Sequence, residues 1–87
     1  MKTGIYILKC SNGRFYIGST NNIDRRIEEH KNGQVIYTKN ILPVKLLLFH
    51  PCTTIKEARQ IEYKLKRLKN RTIIEKIVQD GTINMRP

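Results

Sequence analysis

Two short apolar runs, Gly4 to Lys9 and Arg14 to Ser19, flank an Asn12-Gly13 pair. Asn-Gly between two runs rich in β-branched and aromatic residues is a strong local signal for a β-hairpin. Each run carries a tripeptide, Gly4-Ile5-Tyr6 in the first and Tyr16-Ile17-Gly18 in the second. Folding the hairpin brings the Tyr6 and Tyr16 phenols close together. Gly18 inside the second strand marks a bulge or a close backbone approach.

The remaining elements follow from periodicity and caps. Asn21-Asn22 offers an N-cap, and the spacing predicts a helix over Ile23 to Lys31, with Ile23 and Ile27 facing the core and Gly33 as its left-handed stop. Residues 32–43 read as a loop containing Tyr37-Thr38-Lys39, closed by Pro43. Val44 to Phe49 is almost continuously apolar, which predicts a central strand buried on both sides. Thr54-Ile55-Lys56-Glu57 matches a capping box. It opens a second helix whose buried stripe is Ala58, Ile61, Leu65 and Leu68. A third helix is predicted from Thr72, with Glu75 completing a second capping box; Ile73, Ile74, Ile77 and Val78 form its apolar face and Gly81 its end. The last six residues show no periodicity and are expected at the surface. The order β-β-α-β-α-α, with a small three-stranded antiparallel sheet that helices must cover, is an α+β architecture. At 87 residues the chain is expected to form one domain over 1–87.

Charge narrows the partner. With 17 Lys+Arg against 7 Asp+Glu the formal net charge is +10, which suits a polyanion such as nucleic acid. No apolar stretch approaches the roughly 20 residues of a membrane span. Met1-Lys2-Thr3 leads straight into a strand pattern, so no signal peptide is expected and the expected location is cytoplasmic. Cys10 and Cys52 lack metal-site spacing and read as free thiols, Cys10 as a small buried hydrophobe.

Five residues have chemistry in common. Tyr6 and Tyr16 are phenols, useful to a reaction when a cation lies beside them. Arg26 and His30 are four apart and share one helix face; Arg25 does not share it. An arginine fork matches the oxygens of a phosphate under attack. Glu62 is the carboxylate beside the apolar stripe of the second helix. A lone carboxylate holds Mg²⁺ when water and substrate phosphate complete the shell. Each signal also has a plainer reading: strand packing for the tyrosines, solvated helix arginines, and an i,i+4 ion pair of Glu62 with Lys66. The basic run Lys64, Lys66, Arg67, Lys69 and Arg71 would track a phosphate backbone or simply face water. Taken singly, the plainer readings prevail.

Together, the two tripeptides, Ser19-Thr20, Arg26 eight residues after Gly18, His30 a turn later, and Glu57-Ala58-x-x-x-Glu62 resemble the GIY-YIG nuclease domain from Gly4 to about Val78. The resemblance is to compact single-domain bacterial members and to the catalytic domain of structure-selective and excision-repair endonucleases. It implies the GIY-YIG fold and endonucleolytic hydrolysis of phosphodiester bonds in DNA, with a role in repair or recombination and with RNA also open as a substrate. A single Mg²⁺ or Mn²⁺ on Glu62 is implied. By position, Tyr16 would act on the attacking water, Tyr6 would orient nucleophile or phosphate, Arg26 would neutralise the scissile phosphate, and His30 would assist proton transfer or hold a tyrosine. Arg25, Lys39, Lys64, Lys66, Arg67 and Lys69 are the expected nucleic-acid contacts. Two positions depart from the excision-repair branch, which usually carries lysine where Ser19 stands and tends to carry tyrosine where His30 stands. The alternative is a binding module of the same fold that cuts weakly or not at all and depends on a protein partner for targeting.

Overall fold

A computed structural model describes residues 2–68 and 70–83. Its elements are β1 (Gly4–Cys10), β2 (Phe15–Thr20), α1 (Ile23–Lys31), β3 (Val44–Pro51), α2 (Ile55–Leu68) and α3 (Arg71–Asp80), in the predicted order. The β1–β2 turn closes as its residues dictate. Gly13 takes φ 84°, and the Asn12 side chain accepts from the Arg14 backbone N–H at 3.0 Å. A positive φ is accessible to glycine at little cost.

All three strands are antiparallel, in the order β2-β1-β3. This corrects the expectation for the third strand: β1 is central and β3 is an edge. The two-sided burial belongs to β1, where Ile5, Tyr6, Ile7 and Leu8 are all fully buried. In β3 only Leu48 is buried. Its apolar run is divided: Leu48 joins the core with residues of α2, while the more exposed Leu46 and Phe49 line a groove with Ile23 and Ile27 of α1 at the sheet margin. Pairing with β1 also slips once, between Ile7 and Leu8.

The alternation of β1 divides the molecule. Ile5 and Ile7 face the apolar core, closed by Leu48, Cys52, Ala58, Ile61, Leu65 and Ile74. The opposite face carries Tyr6. Ile83 also belongs to the core at 4 % exposure, which corrects the surface placement expected for the last six residues at that position; residues 84–87 lie outside the described residues. Leu68, expected in the buried stripe, is 42 % exposed at the end of α2.

The caps agree in part. Asn22 caps α1 by accepting from the Arg25 N–H, and Gly33 follows α1 at φ 73°. At the start of α2 the Glu57 N–H donates to Thr54 Oγ1 at 3.1 Å. The third helix starts otherwise than predicted. Asn70 is its N-cap, accepting from the N–H groups of Thr72 and Ile73, and Glu75 pairs with Arg71 at 2.7 Å. Asparagine is as good a cap as threonine or better, so the helix is capped two residues sooner, at Asn70 in place of Thr72.

Candidate active site

The hairpin register pairs Tyr6 with Gly18. The Tyr6 ring lies across that glycine so closely that a Cβ there would stand 2.5 Å from the phenol. The missing side chain is what lets the ring lie flat against β2. Tyr16, two residues earlier on the same face, brings its ring centroid to 6.1 Å from that of Tyr6.

From α1, Arg26 and His30 reach the same phenol. Arg26 Nε donates to Tyr6 Oη at 3.2 Å, and His30 Nε2 lies 2.9 Å from it. His30 stands edge-on to both tyrosine rings, at 5.5 and 5.1 Å between centroids. Its Nδ1 is 2.8 Å from Thr38 Oγ1. His30 is the one fully buried residue of α1. Ile23 and Ile27, expected to face the core, are only half-buried against β3. The inward face of α1 is therefore given to a polar cluster.

Burial sets the protonation of this cluster. His30 is pushed down to about 4, first by desolvation and then by the Arg26 charge. A neutral imidazole has one donor and one acceptor, so the ring is held at both nitrogens, by Tyr6 and Thr38. Tyr6 is pushed up to about 12 by burial, against the opposing pull of Arg26, so it carries its proton at neutral pH. Arg26 is held charged, chiefly by its bond to Tyr6, and also pairs with Glu29 at 3.1 Å. Among the described residues every buried side-chain nitrogen and oxygen has a hydrogen-bond partner.

Glu62 reaches the edge of β2 from α2. Ser19 Oγ donates to its Oε1 at 2.5 Å, and Lys66 Nζ lies 2.6 Å from its Oε2. The same Nζ sits 5.9 Å from the centroid of Tyr16. Lys66 thus joins the carboxylate to the tyrosine pair around the edge of the sheet. Among the described residues no three of His, Cys, Asp and Glu gather as a metal-binding group. The donor set at Glu62, one carboxylate with a hydroxyl beside it, fits an ion such as Mg²⁺ that keeps waters and takes substrate phosphate. It does not fit an ion that needs an all-protein cage.

Beside this centre, Ser19, Asn21, Arg25, Arg26 and Arg59 line a polar cleft. Arg25 holds Asn21 Oδ1 at 2.8 Å. The basic run of α2 is not one stripe, because successive helical residues turn by 100°. Lys66 turns to Glu62, Arg67 packs over Tyr63 at 5.6 Å, and Arg71 lies over Phe15 at 4.7 Å. Lys39 and Lys64 are exposed, and Lys69 lies outside the described residues. Two contributors escaped the sequence reading. Arg59 had a signal, since it precedes Glu62 by three and Lys66 by seven on one helix face. Thr38 had none, because its position depends on the path of the loop.

The GIY-YIG catalytic domain family matches residues 2–76. The chain belongs to the GIY-YIG family. A UPF0213 protein of Bacillus licheniformis is 43% identical over 76 residues, covering 82% of this chain and 78% of that one. One from Clostridium perfringens is 43% identical over 65 residues, covering 74% and 70%. The solution NMR structure of a UPF0213 protein from Bacillus halodurans aligns with a TM-score of 0.58 at 33% identity, covering 93% of this chain and 87% of that one. The GIY-YIG family is one of nucleases, with nucleic acid as substrate. Among the described residues no helix is long and apolar enough to cross a membrane.

Proposed function

We propose that this GIY-YIG chain is a divalent-metal-dependent endonuclease that hydrolyses phosphodiester bonds in cytoplasmic DNA during repair or recombination. The observation that carries the reading is the convergence of Arg26, Tyr6 and His30 in one hydrogen-bonded cluster next to Tyr16, with Glu62 tied to it through Lys66. Glu62 would hold Mg²⁺ or Mn²⁺, which when bound stabilises charge on the phosphate and the leaving oxygen. Arg26, fixed by Tyr6 and Glu29, presents a charged fork to the scissile phosphate. Tyr6 keeps its proton and serves as a donor and an orienting group. His30, buried and neutral, holds Tyr6 in place; it is a positioning residue. Tyr16, half-exposed at the open end of the cluster, would relay the proton of the attacking water, passing its own hydroxyl proton to solvent as it receives that one, and the neighbouring Lys66 ammonium favours the negative charge that develops on the attacking oxygen and the phosphate.

A second reading has one observation of its own: Ser19 and Lys66 occupy both oxygens of Glu62. A carboxylate so engaged suits a binding module that cuts weakly and depends on a protein partner for targeting. One experiment separates the two. Supercoiled plasmid and branched DNA are incubated with Mg²⁺, Mn²⁺ or chelator, beside Tyr16→Phe and Glu62→Ala. Cleavage should need metal and fall at least about 100-fold in each variant, the scale of a lost proton-transfer group. Cutting that survives both substitutions overturns the assigned site, and binding without cutting in every metal establishes the module.

A further inference from the structure

Ile36 and Tyr37 are 77 % and 80 % exposed, more than any other large apolar side chain among the described residues. Isolated exposed hydrophobes are ordinary on a protein surface. These two are adjacent, at the tip of a turn that is tied down at both ends. Val35 before them and Thr38 after them are buried, at 6 % and 0 % exposure. The Val35 carbonyl accepts from the Thr38 and Lys39 N–H groups at 3.1 and 2.9 Å. The Thr38 carbonyl accepts from the Ile41 N–H at 3.0 Å, and the Ile41 carbonyl accepts from the Ser11 N–H of the hairpin turn, also at 3.0 Å.

The turn is also joined to the candidate active site. Thr38 Oγ1 lies 2.8 Å from His30 Nδ1, and only the His30 ring and the Tyr6 phenol separate it from the Arg26 fork. The tip therefore stands within a few base-pair steps of the phosphate that Arg26 would hold. Because the turn is already ordered by its neighbours, presenting the two side chains costs little conformational entropy on binding. Charge selects the occupant. Lys39 is exposed beside the tip, on a chain of net charge +10, which favours a polyanion. A protruding apolar tip with a cation at its base fits stacked base pairs framed by phosphates. Apolar side chains inserted from the minor groove part a base step and kink the duplex by about 20–90°.

We propose that Ile36 and Tyr37 form a wedge that enters the base stack of intact duplex DNA, with Lys39 on a flanking phosphate, and bends the duplex against the candidate active site. The proposal rests on the nuclease reading for its direction. It adds a specificity device that the catalytic cluster does not supply: duplexes are selected by how readily a step opens, and pyrimidine–purine steps open most easily.

The test measures bending and binding. Energy transfer is followed between dyes at the two ends of a short blunt DNA duplex, in chelator so that no metal-dependent cutting consumes the probe. The wild-type protein should raise the transfer, and more for a duplex with a central TA step than for an A-tract of the same length. Ile36→Ala combined with Tyr37→Ala should abolish the rise and weaken binding about tenfold, the scale of one lost stacking contact, with the salt slope unchanged because no phosphate contact is lost. Tyr37→Phe should behave as the parent, since the ring and not the hydroxyl enters the stack. Lys39→Gln should do the converse, lowering the salt slope by about 0.9, one phosphate contact on a duplex, while bending persists. Both tip residues are exposed, and circular dichroism checks that the double variant is folded. A duplex that stays unbound or straight overturns the proposal, as does a rise in transfer that survives the double substitution, which would leave the tip to a protein partner. Plasmid cleavage without bending would sink this inference and leave the nuclease intact; bending without cleavage in any metal would do the reverse.

Discussion

Gly18 shows how one residue can be read from sequence as an anomaly and from structure as a requirement. In the sequence it is a glycine that weakens a strand. In the structure it is the surface on which the Tyr6 ring lies, with no room for a Cβ. Gly18→Ala is therefore expected to cost about 1–3 kcal/mol in chemical denaturation, the scale of overpacking, and to displace Tyr6 from Arg26 and His30. A variant as stable as the parent would show that the ring does not need the space. Tyr6, Arg26 and His30 were legible as candidates because they lie on one hairpin and one helix, where spacing fixes direction. Thr38, the second partner of His30, was not, because no local pattern in residues 32–43 says which side chain turns inward.

Among the elements, the two ends of reasoning from caps and apolar runs are α3 and β3. The Thr72–Glu75 spacing places the start of α3 at Thr72, whereas Asn70 is the residue that caps it. The Asn70 side chain accepts from two backbone N–H groups. Asn70→Ala should cost about 1 kcal/mol by thermal melting while Thr72→Ala stays within a few tenths. Equal losses would refute this cap. For β3 the error was of a different kind. An apolar run states that a strand has neighbours but does not say which, and β1 carries a run just as apolar. Sheet order is a choice among pairings, made here by β1 having burial available on both faces.

At the scale of the whole molecule, the buried His30 links the candidate site to stability. Its pKa is lowered in the folded state, from the ordinary 6.5 to about 4. Below 6.5 the unfolded chain takes up a proton that the folded chain refuses, so stability present above pH 6.5 is lost as pH falls toward 4. The loss should be roughly 2 kcal/mol by about pH 5, above the range where ordinary carboxylates titrate. Denaturation at a series of pH values measures it, and NMR showing the His30 ring titrating near 6.5 would contradict it. What the sequence by itself determined is whatever rests on local spacing: the hairpin and its turn, three helices in order, the pairing of Arg26 with His30 on one face, the positive charge, and the family. What only the tertiary structure decided is whatever needs two distant segments to meet. The edge position of β3, the Thr38–His30 bond, the seat of Ile83 in the core, and the bridge from Glu62 through Lys66 to Tyr16 all join residues whose spacing along the chain carries no directional information. Packing chooses those meetings, because each depends on how the helices cover a sheet whose order the strands do not individually encode.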